Sequence, residues 1–219
     1  GGDIAGNLPK ADVVVVLEVD VPWTPKRTAP QESATVIAIG QDPLFVQYPA
    51  RSFRSNMALG GSPRLILAAL VEAVKKIGSD TGAAKDRTAQ WAAARVKRTE
   101  AADARAEAGK GETPINKAYF SRELAKHLGE NTILVSELGL DVGQMAFSTP
   151  GATYSVPPSG GLGLGVGAAL GAKLASPEKT VVCAVGDGSY TFGVPTAGHI
   201  VSQVQNLPVL FIVWNNGIW

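Results

Sequence analysis

The sequence predicts an α/β protein made of parallel-sheet, three-layer α/β/α domains. Five short apolar runs predict strands, and the first two have the β-branched pattern that is typical of strands buried on both faces of a parallel sheet. Most of the segments between them are long enough for a crossover helix, and strands that alternate with helices form layered domains of this class. The five runs are residues 11–20, 34–43, 132–138, 180–187 and 207–216.

Composition excludes several classes of protein. The 219 residues are 45% apolar and 18% charged with a formal net charge of +1, which provides no basic face for nucleic acid. Cys183 is the only cysteine, so an internal disulfide and a Cys-rich zinc site are excluded. No apolar run approaches the length of about 20 residues that a membrane span needs, and the first residues lack the pattern of a signal peptide. We therefore expect a cytoplasmic protein with no membrane or nucleic-acid partner.

Residues 1–78 contain the first two predicted strands and one helix. A loop with three prolines separates the strand at 11–20 from the strand at 34–43. Ser62-Pro63 predicts the start of a helix, because proline fits the first turn. One apolar face of this helix is formed by Ile66, Leu70, Val74 and Ile77.

Residues 79–112 differ in composition from the segments on either side. They are rich in Ala and charged residues, and Trp91 and Val96 are their only large apolar side chains. Because Ala, Arg, Lys and Glu are strong helix formers, we expect a solvent-exposed helix that links two domains. A disordered linker is the alternative.

Residues 113–219 alternate again between helices and strands. Thr113-Pro114 predicts the start of a helix and Gly129 its end. The predicted elements that follow are a strand, a glycine-rich entry to a helix, a strand, a crossover helix and a strand, at residues 132–138, 159–175, 180–187, 193–206 and 207–216.

Polar residues end two of these predicted strands. Asp187, between Gly186 and Gly188, ends one strand, and Asn216 ends the next strand 29 positions later. Ligands of open α/β sheets bind outside the carboxyl ends of the strands, and one crossover brings these two side chains together there. A carboxylate and an amide oxygen suit Mg²⁺, whose other ligands are water and substrate phosphates. The flanking glycines and the hydroxyl of Ser189 complete the pattern expected for a metal-bound phosphate compound.

The glycine-rich stretch supports an anionic ligand. Gly160, Gly161 and Gly163 lie just before the predicted helix, where free N–H groups and the helix dipole favour an anion. The spacing is G-x-G-x-G rather than the G-x-G-x-x-G of dinucleotide-binding folds, and no acidic residue is placed to hold a ribose. A nicotinamide-dependent oxidoreductase is therefore the less favoured alternative.

Together, these residues resemble a known family. "GDGS" followed by "NNG" resembles the motif that binds thiamine diphosphate and Mg²⁺. "SGGLGLGVGAALGAKLA" is similar to the stretch before that motif in acetolactate synthases and benzoylformate decarboxylases, and "ADVVVVLEVDVPW" and "VIAIGQDP" resemble the central domain of the same enzymes. The resemblance implies that residues 1–78 are the C-terminal part of a DHS-like central domain, 79–112 a helical linker, and 113–219 the N-terminal part of the diphosphate-binding domain.

The resemblance also implies roles for individual residues. Leu162 matches the bulky aliphatic residue over which the cofactor bends. Mg²⁺ would be bound by the side chains of Asp187 and Asn216 and by the backbone carbonyl of Ile218. The implied cofactor contacts are Gly161, Leu162, Gly186, Asp187, Gly188, Ser189 and Asn216.

The activity that the resemblance implies is that of a thiamine diphosphate-dependent lyase or transferase acting on 2-keto acids. It would be an acetolactate synthase-like carboligase or a decarboxylase, with the organic chemistry carried by the cofactor. The site of this family is shared between subunits, which implies a homodimer or a homotetramer. A non-catalytic cofactor-binding module of the same family is the alternative, and flavin binding stays open.

Two departures from the family pattern qualify this resemblance. Gly139-Leu140-Asp141 stands where acetolactate synthases have a Gly-Gln-His stretch that holds the diphosphate, and an anionic side chain beside phosphates is unfavourable unless it points away. The family's pyrimidine-binding domain, with the glutamate that activates the cofactor, has no counterpart in these residues. We therefore expect a fragment at both ends, without a catalytic residue of its own, that cannot turn over substrate alone. Glu137 ends a predicted strand and receives no role.

Overall fold

The chain folds into two compact units, Gly1–Thr88 and Ala89–Trp219. The division lies inside the predicted linker segment. Each unit has its own parallel sheet, as the predicted α/β class requires. The computed structural model describes residues 4–78, 82–147, 149–155 and 161–217.

The first unit is built on a three-stranded parallel sheet. Its elements are α1 (Ile4–Asn7), β1 (Val13–Leu17), β2 (Thr35–Gly40), β3 (Met57–Gly60) and α2 (Pro63–Ile77). The strand order is β1-β2-β3. Both predicted strands and the predicted helix are confirmed, whereas β3 is unexpected because its four residues include no β-branched side chain.

Strand β1 is covered on one face only among the described residues. Val16 packs with Trp23 and Val36, and Val14 borders this cluster. The other side chains of the strand are exposed, namely Val13, Val15 and Leu17. The expectation that both faces are buried is therefore wrong for β1, which is an edge strand of this sheet.

A single long helix, α3 (Gly82–Ala108), occupies most of the predicted linker segment. Nearly all of its surface is exposed, and Ala106 is its only buried residue. The helical interpretation is therefore confirmed and the disordered alternative is wrong. Its last turns are held by ion pairs, Asp103 with Arg122 at 3.1 Å and Arg105 with Asp141. Although α3 is long, neither it nor any other helix among the described residues is apolar enough to cross a membrane.

The second unit has a four-stranded parallel sheet between helices. Its elements are α4 (Lys117–Ala125), β4 (Thr132–Glu137), β5 (Thr153–Ser155), α5 (Leu164–Ala175), β6 (Thr180–Gly186), α6 (Asp187–Phe192), α7 (Pro195–Val204) and β7 (Val209–Trp214). The strand order β5-β4-β6-β7 places β4 and β6 in the centre. Ala169 of α5 belongs to the cluster of Val135 and Cys183, whereas Phe120 of α4 packs on the cluster of Leu134. The predicted three-layer arrangement is confirmed.

Helix α4 differs from its predicted bounds at both ends. It begins at Lys117 rather than at Thr113-Pro114, because Asn116 caps it. The Asn116 side chain accepts hydrogen bonds from the backbone N–H groups two and three residues later, at 2.9 and 3.1 Å. The helix ends at Ala125, ahead of Gly129. Two further elements, β5 and α6, are not predicted, since each is too short to show a hydrophobic period.

Candidate functional site

The candidate site lies where β6 and β7 end side by side. The two strands are parallel neighbours, and Gly186 of β6 is in register with Trp214 of β7. The residues that follow each strand therefore emerge at one edge of the sheet. The backbone N–H of Gly217 donates a hydrogen bond to Asp187 Oδ2 at 3.1 Å, which joins the two predicted motifs directly.

The turn after β7 brings two asparagines to this edge. The N–H of Gly217 also donates to Asn215 Oδ1 at 3.0 Å, and Gly217 has a φ of 67°, which glycine tolerates. Asn216, the predicted metal ligand, is exposed at the same edge. Ile218, whose carbonyl is the third predicted ligand, lies outside the described residues.

Asp187 is the first residue of α6, where its carboxylate meets the positive end of the helix dipole. A Cβ on Gly186 would meet no described atom nearer than Ser189 Oγ at 4.0 Å, so a ligand has room beside the carboxylate. Gly188 lies on the same short helix. Ser189 is 3% exposed, so its side chain is buried rather than open to solvent.

The glycine-rich loop, residues 161–163, leads into α5 and packs beside α6. Gly163 caps α5 in the left-handed conformation, with a φ of 91°. A Cβ on Gly163 would lie 2.9 Å from the backbone nitrogen of Gly193, so only glycine allows this close approach to the end of α6. Leu162 is 42% exposed beside this contact. Gly160 lies outside the described residues.

The N–H groups at the start of α5 bind a carboxylate from within the chain. Gly163 N–H donates to Glu137 Oε1 at 2.6 Å, and Gly165 N–H donates to Glu137 Oε2 at 2.5 Å. Glu137 ends β4 and is 2% exposed. The expectation of a free N–H group at Gly163 is therefore wrong. The only hint in the sequence is an acidic residue at the end of an otherwise apolar strand.

The segment after β4 departs from the family pattern without leaving an uncompensated charge. The Asp141 carboxylate pairs with Arg105 and accepts a hydrogen bond from Gly143 N–H at 3.1 Å. Gly139 packs directly on β6, since a Cβ there would lie 2.6 Å from the carbonyl carbon of Ala184. The ion pair therefore reduces the repulsion that an unpaired Asp141 would exert on a phosphate.

The donor set at the strand edge fits a hard cation that shares its coordination with phosphate. Within the described part of the chain, no group of three or more His, Cys, Asp and Glu side chains could hold a metal by itself. Asp187 offers a carboxylate and Asn216 an amide oxygen. Mg²⁺ is commonly held by one or two carboxylates together with water and substrate phosphates. These residues therefore suit a Mg²⁺–diphosphate pair better than a metal held entirely by protein.

A cavity of about 730 Å³ opens at the end of β7. It is lined by Thr113, Pro114 and Ile115 on one side and by residues 213–217 on the other. Lys117 Nζ lies 5.3 Å from the ring centroid of Trp214 in this region. The volume is within the range of small-molecule sites, and the asparagine pair is part of its wall.

Sequence comparison matches this part of the chain to a cofactor-binding domain. A family model described as "Thiamine pyrophosphate enzyme, C-terminal TPP binding domain" matches residues 140–219. Benzoylformate decarboxylase of Pseudomonas aeruginosa is 43% identical over 67 residues, 31% of this chain and 12% of the relative. A probable acetolactate synthase of Mycobacterium bovis is 36% identical over 110 residues, 48% of this chain and 20% of the relative.

The fold is similar to that of a solved Mycobacterium smegmatis protein assigned to the thiamin diphosphate-dependent enzymes. The TM-score is 0.62 at 20% identity, and the similarity covers 98% of this chain and 39% of the other. The chain spans a fifth or less of the two relatives named above. The family model and the two relatives confirm the resemblance drawn from the cofactor-binding motifs, and the solved structure confirms the fold class.

Proposed function

We propose that this chain, whose residues 140–219 match the family model of a C-terminal cofactor-binding domain of thiamine pyrophosphate enzymes, anchors the cofactor's diphosphate through Mg²⁺. The observation that carries the proposal is the meeting of Asp187 and the residues after β7 at one strand edge, joined by the bond from Gly217 N–H. Ligands of open α/β sheets bind at such edges.

Each residue of the edge has a defined part in this proposal. The side chains of Asp187 and Asn216, with the carbonyl of Ile218, would hold Mg²⁺. Gly186 and the backbone of Gly188 and Ser189 would meet the diphosphate, since the Ser189 side chain is buried. Leu162 would support the ring portion, and Gly161 would let the backbone approach it. When bound, the cofactor supplies a carbanion that adds to a carbonyl and stabilises the charge left when CO₂ departs.

The reaction class that we propose is decarboxylation or carboligation of 2-keto acids, as in an acetolactate synthase-like enzyme. The named relatives, a benzoylformate decarboxylase and a probable acetolactate synthase, support both variants. We assign no activating group to this chain, because the glutamate expected for that role belongs to the family's pyrimidine-binding domain. We therefore expect the 219-residue chain to bind the cofactor without turning over pyruvate, and the working enzyme to be a homodimer or homotetramer.

Substitution of the proposed metal ligand tests the function. Asp187→Asn keeps the size of the side chain but removes the charge, so thiamine diphosphate in the presence of Mg²⁺ should bind at least about tenfold more weakly by calorimetry. Asp86→Asn makes the same change at an exposed position of α3 and should leave the affinity unchanged. Equal affinity of Asp187→Asn and the unsubstituted chain would contradict the proposal.

A further inference from the structure

Glu137 is a buried carboxylate for which the proposed function provides no role. It stands at the end of β4, in the centre of the second unit's sheet, and is 2% exposed. Each of its oxygens accepts one short backbone hydrogen bond, from Gly163 and from Gly165. These two donors flank Leu164, the first residue of α5. The carboxylate therefore bridges the first turn of that helix and its cap.

The surrounding sequence leaves room for this carboxylate. A Cβ on Gly165 would lie 2.9 Å from Glu137 Oε2 and 2.6 Å from Val185 Cγ1. Glycine at this position lets the start of α5 come down onto the end of β4. A buried charge is costly unless it is compensated, and here two charge-assisted hydrogen bonds and the positive end of a helix dipole compensate it.

The bridge determines where the glycine-rich loop lies. Gly163 is fixed on one side by Glu137 and touches Gly193 on the other. Its left-handed backbone, with a φ of 91°, sets the direction in which the preceding residue leaves the helix. That residue is Leu162, whose side chain is 42% exposed and therefore available to a ligand. Asp187 lies directly after a different strand, β6, where its carboxylate accepts a hydrogen bond from Gly217 N–H.

We propose that Glu137 is a positioning residue that holds Leu162 in place for the ring portion of the cofactor, without contributing to the diphosphate anchor. The inference rests on the proposed function, because it assigns Leu162 to the same site. It predicts that loss of the Glu137 charge weakens the recognition of the thiamine moiety and spares the recognition of Mg²⁺–diphosphate. If Glu137 only stabilised the domain, its substitution would weaken the recognition of both parts of the cofactor to the same extent.

Two probes, thiamine diphosphate and inorganic pyrophosphate, each with Mg²⁺, test this inference by calorimetry. Glu137→Gln keeps one acceptor and places an amide donor against the second N–H group. The variant should bind thiamine diphosphate about tenfold more weakly, whereas its affinity for pyrophosphate should change by less than about twofold. Leu162→Ala should also lower the affinity for thiamine diphosphate. The double variant should bind thiamine diphosphate no more weakly than the single variant with the lower affinity, since both substitutions act on one contact.

The controls separate the possible failures. Glu130→Gln makes the same chemical change at an exposed position and should affect neither probe. If Glu137→Gln lacks a cooperative thermal transition, Glu137→Asp, which keeps the charge but withdraws it by one methylene, should show the same selective loss. The inference would be overturned if the Glu137 variants lowered the affinity for both probes equally, or for neither. It would also be overturned if the native chain bound both probes with the same affinity. A native chain that binds neither probe contradicts the proposed function itself.

Discussion

Asp187 and Glu137 lie near the carboxyl ends of neighbouring strands, but their surroundings differ, and so do the groups that each carboxylate can bind. Asp187 accepts a backbone hydrogen bond from Gly217 at the half-exposed strand edge, which leaves lone pairs for a cation. Glu137 is buried and directs one oxygen to each of two N–H groups. At the scale of single residues, Asp187 suits a ligand and Glu137 suits the support of a loop.

The thiol of Cys183 should be inert in the folded chain. Burial raises its pKa to about 12, and the nearby Glu137 charge adds to this effect, so the reactive thiolate is scarce at pH 8. Iodoacetamide should label Cys183 in denaturant and not under native conditions, as measured by intact-mass spectrometry. Labelling at equal rates in both conditions would contradict its burial.

The same thiol makes the free energy of unfolding depend on pH at the alkaline end. The unfolded thiol ionises near a pKa of about 8.5, whereas the folded thiol stays protonated to higher pH. Its contribution to stability is therefore complete below that value and is lost as the pH rises towards about 12. In urea titrations from pH 8 to 10, the free energy of unfolding of Cys183→Ala should therefore fall less with rising pH than that of the unsubstituted chain.

Gly139 should tolerate no side chain. A Cβ there would lie 2.6 Å from the backbone of both Ala184 and Val185 in the central strand β6. Gly139→Ala should therefore lower the free energy of unfolding by about 1–3 kcal/mol in urea titrations. Gly129→Ala is the matched control, because its Cβ would meet no described atom within 4 Å. Equal stability of the two variants would show that the contact relaxes without cost.

At the scale of elements, helix α3 combines a long exposed part with an anchored end. Its final turns contain the buried Ala106 and the two ion pairs made by Asp103 and Arg105. One partner of each ion pair is exposed, and ion pairs near the surface contribute about 1 kcal/mol or less each, so the burial of Ala106 adds to the anchor. Residues 89–100 are all exposed, so their helical state depends mainly on helix propensity, which is marginal in water.

Hydrogen exchange should therefore proceed unevenly along α3. Amides of residues 89–100 should exchange faster than those of residues 103–108, because local opening costs less where few contacts are lost. Exchange measured by mass spectrometry on overlapping peptides tests this difference. Uniform protection along the helix would contradict it.

Elements with a strong local pattern could be predicted, and those set by distant contacts could not. The apolar runs of β2, β4 and β6 and the proline start of α2 lie close to their expected positions. Helix α4 begins at Lys117 rather than at Thr113-Pro114, since the side-chain cap of Asn116 outweighs the proline signal upstream. The bond between Glu137 and Gly163 joins residues 26 positions apart, for which the sequence carries no period or motif.

At the scale of the whole molecule, all described residues of the proposed site belong to the second unit, Ala89–Trp219. The pairing of Asp187 with the residues after β7 could be predicted, because parallel strands joined by one crossover end at the same edge. The buried side chain of Ser189 could not, since it depends on the short helix α6. The first unit contributes a separate parallel sheet and none of the proposed site residues.

The most direct test of the central claim is a calorimetric titration of the 219-residue chain with thiamine diphosphate, once with Mg²⁺ and once with a chelator. If Asp187 and Asn216 anchor the diphosphate through the metal, binding should be saturable with Mg²⁺ and absent with the chelator. Binding of equal strength in both titrations would contradict a metal-mediated anchor at the end of β6 and β7.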